Sequence, residues 1–289
     1  MSNVFIYLKG ECNMEKKYEL IKENLLDFYG RKLYRVKALK DFDDVKKGDL
    51  GGYIEKEDNL SQEGNCWVSD DAKVYGYAIV RDNARVYDNT VIGGNARVYN
   101  NAKVYGEARV GGCAEIYQNA IICNNAEIYG DARVYGNTAV WGNANISDTA
   151  KVYDSAVIRD NARVRDRADV HGDAKVYGFA DICGDAEVFG EAEVCANAEV
   201  CANAEVYGTA KICDNAEILS TSDYFSISPV GSENGIFTAY KCKDDIIRCS
   251  RGCFHGTIDE FKTAVLKTHG SNHYARDYRI LIEYVESRF

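Results

Sequence analysis

Four histidines and eleven cysteines carry most of the reactive side chains in this 289-residue chain. One of them, His171, lies inside the long periodic stretch at the middle of the sequence, and histidine is the side chain best suited to general-base work near neutral pH. Cys183 and Cys201 stand eighteen residues apart, as do Cys195 and Cys213. Cys242, Cys249, Cys253 and His255 form a compact group of metal-capable side chains. Their spacing lacks the close Cys pair of common zinc sites, so no metal is expected there. Cys253 just precedes a helix start near Thr257, and a reactive thiol aided by His255 is the chemical alternative to a plain structural role. The structural role is the expectation.

These groups are positioned by a clock. Every sixth residue from Val68 to Ile218 is Val or Ile, 26 positions in register, and two residues before each, from Ala72 to Ala216, stands Ala, with Thr only at Thr90 and Thr138. A period of six fits neither a helix nor a plain alternating strand; it fits a solenoid whose short β segments turn one residue at a time onto a shared axis. In a unit such as Asn95-Ala96-Arg97-Val98-Tyr99-Asn100, Ala and Val face inward and the neighbours of Val face solvent. Asn, Asp and Gly fill the corners, where tight or left-handed backbone is needed. Three corners close a triangular coil of eighteen residues, and nearly nine coils at roughly 4.8 Å per rung give a rod about 40 Å long.

This hexapeptide pattern resembles the left-handed parallel β-helix of the hexapeptide-repeat acyltransferase superfamily, and its Asn-Ala-Lys-Val-Tyr-Gly flavour is similar to uncharacterised bacterial and phage-encoded members. The resemblance implies a left-handed rod, commonly a homotrimer, and as an activity CoA-dependent acyl transfer with the site between protomers. The chain departs from the superfamily in two respects: Tyr commonly follows the aliphatic residue where Gly is usual, and no loop interrupts the 26 units. The three-His zinc site of the related carbonic-anhydrase-like β-helices cannot be assembled from coils that hold His171 alone. For acyl transfer His171 is the candidate general base, whereas packing within a column of rings is the plainer expectation for it.

Residues one coil apart lie above one another, so reading every eighteenth residue turns the sequence into columns. One column holds Tyr99, Tyr117, Tyr135, Tyr153, His171, Phe189 and Tyr207. It is either a ladder that pins coil register or a flat aromatic platform for a ligand or partner. A second face places Ile121, Cys123, Ala139, Trp141 and Val157 outward on three adjacent rungs, between the charged Arg85, Lys103 and Lys175. An apolar patch with a charged rim marks association. Self-association is the expected use, and cover by a terminal domain the alternative. Carboxylates stack at Asp181, Glu199 and Glu217 and at Glu187 and Glu205, an unfavourable arrangement unless a cation or basic group lies across them. A solvated face is expected. The two eighteen-spaced cysteine pairs are close enough for disulfides, with free thiols as the default in a reducing compartment.

The rest of the chain frames this rod. Residues 1–63 form an N-terminal α/β cap, with a helix through Tyr18, Ile21, Leu25 and Phe28, a stop at Gly30, a strand through Tyr34, Val36 and Ala38, and a covering segment from Gly48 to Leu60 that includes Leu50, Tyr53 and Ile54. Residues 64–220 are the β-helix. Residues 221–289 form a small α+β domain with a hairpin at Ile236–Cys242 and Ile246–Cys249, a helix opened by the capping box at Thr257 and Glu260, and a second helix from Tyr274 to Ser287. A net charge of −10 speaks against nucleic acid or an anionic membrane as partner, and the one early apolar run, Val4 to Leu8, is too short for a secretory core. The expectation is a cytoplasmic homo-oligomer, a trimer by resemblance. It displays a binding surface without catalysis or cofactor, and an acyltransferase using a CoA thioester is the alternative.

Overall fold

A computed structural model describes residues 15–289 of the chain. Strands β1 (Tyr18–Phe28), β2 (Arg31–Ala38) and β3 (Leu50–Ile54) precede 26 two-residue strands, β4–β29, running from Trp67–Val68 to Glu217–Ile218. Each short strand pairs in parallel with the short strand one coil away, on both sides within the rod and on one side at its ends, as Val74 with Ile92 and Arg109 with Glu127. The strands sort into three sheets of twelve, nine and eight, and the rod is a parallel β-solenoid of about nine coils.

The clock residues build the core directly. Val74, Val98, Ile122, Val134, Val164 and Ile212 are fully buried, and so are the Ala side chains two residues before them. Small Ala beside branched Val or Ile lets three sheets close on one axis. Thr90 and Thr138 occupy Ala positions, and each satisfies its hydroxyl by donating to a nearby carbonyl, of Tyr87 and Tyr135 respectively. At the corners, residues such as Asn100 take positive φ (55°). Corner side chains also bind the next coil: the amide of Gly106 donates to Asp88 at 2.9 Å, and Asn83, Asn101, Asn119 and Asn137 form a ladder of amide hydrogen bonds at 3.0 to 3.2 Å.

The expected helix over Tyr18–Phe28 is a strand. Its apolar residues fall at helical spacing because β1 carries a bulge between Ile21 and Leu25, which shifts register along an antiparallel pairing with β2. Tyr29 and Gly30 both take positive φ, the two-residue loop that closes a twisted hairpin. The described cap is therefore all β apart from one 3-10 turn at Glu57–Asn59. It extends the twelve-stranded sheet through β3, which pairs in parallel with β5 (Lys73–Val74) and so covers the rod's first edge. Ile54 and Leu60 are buried in this cover, but Leu50 is about half exposed and does not join it.

The C-terminal domain is a four-stranded antiparallel sheet, β30 (Tyr224–Val230), β31 (Gly235–Lys241), β32 (Ile247–Arg251) and β33 (Phe254–Thr257), followed by α1 (Ile258–His269) and α2 (His273–Arg288). The expected hairpin is β31 and β32, and the Thr257–Glu260 capping box opens α1. Phe237, Phe261, Tyr278 and Val285 close a second core. The domain seats on the far end of the rod: Tyr240 Oη donates to Asp214 at 2.9 Å, Ser250 Oγ donates to the Lys211 carbonyl at 3.2 Å, and Cys242 bridges Ala216. No described helix is long and apolar enough to cross a membrane.

Candidate functional site: one rod face and its columns

The seven rings predicted to align do so. Tyr99, Tyr117, Tyr135, Tyr153, His171, Phe189 and Tyr207 follow one another at centroid separations of 4.7 to 5.4 Å, nearly parallel until the last pair. Because each ring lies on the next, the faces are consumed within the column. Arg81 covers the first face, 4.6 Å from the Tyr99 centroid, and Tyr224 meets Tyr207 edge-on at the other end. What reaches solvent is a row of ring edges and phenol hydroxyls. Burial pushes the phenols of Tyr99, Tyr117, Tyr135 and Tyr153 up, that of Tyr153 to about 12, so these four are neutral donors at ordinary pH.

His171 is held within the column by Tyr153 and Phe189, and its Nε2 lies 2.7 Å from a Glu187 carboxylate oxygen on the next coil. A carboxylate only accepts, so that nitrogen carries the proton. Nδ1 is 3.8 Å from Asp154, beyond hydrogen-bond distance.

Ile121, Ala139 and Val157 are aligned neighbours in the nine-stranded sheet, and Ile121 is exposed. Cys123 and Trp141 continue the adjoining corner column below the stacked Tyr87–Tyr105 pair. Arg159 lies 5.6 Å from the Trp141 ring and 4.2 Å from that of Tyr177, so a cation already rests on the patch's largest side chain. The terminal domains dock at the two ends of the rod.

The carboxylate columns differ from the solvated faces expected. Arg165 binds Asp181 through Nε at 3.1 Å, Lys243 of the C-terminal domain reaches Glu199 at 2.6 Å, and Glu187 pairs with His171. Like-charge stacking is thus offset by basic groups, one of them brought by the docked domain. The cysteines are a second correction. Cys183–Cys201 and Cys195–Cys213 are disulfides rather than free thiols, because side chains one coil apart project in the same direction with Cα atoms 4.5 and 4.6 Å apart. Cys242, Cys249, Cys253 and His255 do not converge. Cys242 belongs to the core continuous with the rod and Cys249 to the second core, while Cys253 and His255 are exposed.

Sequence spacing alone does not reveal one further cavity. It is a groove of about 1160 Å³ along the eight-stranded sheet, lined by Lys56, Tyr77, Arg97, Arg133, Lys151 and Arg167 among others, with Asp58, Glu115 and Asp131 as its carboxylates. Five cations face three anions in a chain of net charge −10. Glu115 is shared between Arg97 at 3.3 Å and Arg133 at 3.9 Å, and Lys56 rests 4.3 Å from the ring of the well-exposed Tyr77. The eighteen-residue columns through Arg97 and Tyr77 contain this signal, but Lys56 comes from the cap.

Comparison with known proteins returns no matching family model. A stretch of 48 residues is 46% identical to part of the "Uncharacterized acetyltransferase YdcK" of Escherichia coli (strain K12), covering 16% of this chain and 15% of that protein's length. This partial match and the stacked hexapeptide coils fit a hexapeptide-repeat β-helix.

Proposed function

We propose that the chain is a non-enzymatic β-helical scaffold that associates with itself through the Ile121, Ala139, Trp141 and Val157 face and holds a ligand on the eight-stranded sheet. The groove carries this reading: it is roughly four rungs, or about 20 Å, long. It offers guanidinium and ammonium groups to an elongated, anion-bearing ligand, with Tyr77 and Ile79 as a less polar end. The phenol edges of the ladder line the neighbouring corner and give hydroxyl donors at regular spacing. A cytoplasmic homotrimer is the assembly in keeping with the superfamily resemblance, with no role for nucleic acid or membrane.

Native mass spectrometry of the purified protein tests both parts at once. A mass beyond a whole number of chains identifies the ligand, and Arg133→Glu with Lys151→Glu should release it. Retention of the same ligand by that double variant would place its site elsewhere. A second reading, a CoA-dependent acyltransferase working between protomers, draws on the name of the partial relative and on the fixed His171–Glu187 pair. Turnover of acetyl-CoA by the purified protein would favour it over the scaffold.

A further inference from the structure

Near the C-terminal end of the rod, one corner brings together the side chains of Cys183, Cys201 and Glu199, whose ligand atoms all lie within 4.8 Å of one another. Among the described residues this is the one group of three or more metal-capable side chains in such proximity. Cys183 and Cys201 are each about 6% exposed, and Glu199 reaches Cys201 Sγ at 3.6 Å. We propose that, once reduced, Cys183 and Cys201 bind a thiophilic divalent cation of the zinc class together with Glu199, leaving a fourth position for water or a further ligand.

The geometry suits that chemistry. Tetrahedral zinc, with Zn–S near 2.3 Å and Zn–O near 2.1 Å, holds its ligand atoms roughly 3.6 to 3.8 Å apart, a small adjustment from the present arrangement once the S–S bond is gone. Two thiolates with one carboxylate favour zinc over magnesium or calcium, which take oxygen ligands. The surrounding charge favours a cation too. Asp181, Glu199 and Glu217 stack in one column, and the basic groups set against them are Arg165, already shared between Asp181 and Asp166, and Lys243. The cation would take Glu199 from Lys243, and so couples the site to the hairpin that docks the C-terminal domain.

The disulfide is the competing state. A small dithiol reductant converts it to two thiols with two electrons and two protons, itself becoming a disulfide. Metal binding then releases the two thiol protons. The pair Cys195–Cys213 has the same stacked geometry but no carboxylate grouped with it, which makes it an internal control.

Cobalt(II) alone, added to the reduced protein under argon, is the probe. The expected result is one equivalent per chain with a thiolate-to-cobalt charge-transfer band, absent from the oxidised protein. That band should vanish in Cys183→Ser/Cys201→Ser and persist in Cys195→Ser/Cys213→Ser. Glu199→Gln should weaken binding at least about tenfold. Equal cobalt binding by oxidised and reduced wild-type protein, a comparison that needs no variant to fold, would overturn the proposal, and so would a band that survives the Cys183/Cys201 double change.

Discussion

The Nε2 proton of His171 is committed to Glu187 at 2.7 Å while the imidazole is clamped between Tyr153 and Phe189. A ring held in this way is a rung of the ladder before it is a base. In the scaffold reading, His171→Ala removes two stacking contacts, each about 0.5 to 1.5 kcal/mol, and should lower stability by about 1 to 3 kcal/mol in a thermal melt. No release of free CoA from acetyl-CoA should be seen before or after the change. If the unmutated protein turns over acetyl-CoA and the variant folds but does not, His171 is a general base and the scaffold reading fails.

The apolar face gives a second expectation. Trp141→Glu would put a charge beside Ile121, Ala139 and Val157, and taking a carboxylate out of water into an apolar interface is costly even with a cation nearby. The protein should sediment as an oligomer at micromolar concentration and the variant as a lighter species. Arg159 rests on Trp141 and would pair with the new carboxylate, so Arg159→Ala with Trp141→Glu should dissociate the assembly further than Trp141→Glu alone. A monomeric wild-type protein would remove the interface altogether.

What the sequence made legible was whatever depends on period alone. Val or Ile at every sixth place and Ala two before it determine the coils, and eighteen-residue columns then place Tyr99 on Tyr117 and Cys183 on Cys201 without any knowledge of the ends. At Tyr18–Phe28 spacing does not distinguish strand from helix, because a bulge in a strand spaces apolar residues much as a helix does. The disulfides differ for another reason: the columns give the proximity of Cys183 to Cys201 and of Cys195 to Cys213, but spacing carries no information on the oxidation state of the pair. The groove escaped because Lys56 joins Arg97 and Arg133 across about forty residues and more. The fate of the acidic column likewise depends on Lys243, from a domain whose docking no periodicity announces.

Core substitutions should reveal how local the rod's stability is. Val134 is fully buried between Ile116 and Val152 of adjacent coils, and Val134→Asp leaves a carboxylate without a partner at a cost of several kcal/mol. Gly52→Ala acts at the cap, where an added Cβ would meet the Ala72 carbonyl oxygen at 2.6 Å and Val68 Cγ1 at 2.8 Å, an overpacking worth about 1 to 3 kcal/mol. Hydrogen exchange should show protection lost across the central coils for the first variant and only around the first coils for the second. Loss of protection along the whole rod from Gly52→Ala would argue against stability built from neighbouring coils.

Alkaline pH should loosen the C-terminal end. Tyr240 is fully buried, and burial first, then the Asp214 carboxylate it donates to, pushes its phenol far above the usual tyrosine range; burial likewise raises Tyr224 and Cys249 to about 12. An unfolded cysteine ionises near pH 8.5 and an unfolded tyrosine near pH 10. From about pH 8 for the thiol and pH 9 to 10 for the phenols, up to about pH 12, the unfolded chain gives up these protons while the folded protein keeps them, so the unfolded state binds fewer protons and stability falls as pH rises. Below about pH 7.5 the contribution is fully present. The melting temperature should therefore stay level near pH 7, begin to fall from about pH 8, and decline more steeply from about pH 10 towards pH 12. Tyr240→Phe should cost about 1 kcal/mol at neutral pH, through the lost hydrogen bond to Asp214, and should make the alkaline decline shallower than in the wild type. A decline of unchanged slope in Tyr240→Phe would mean that this phenol ionises as readily in the folded protein as in the unfolded chain, against its burial beneath the docked sheet.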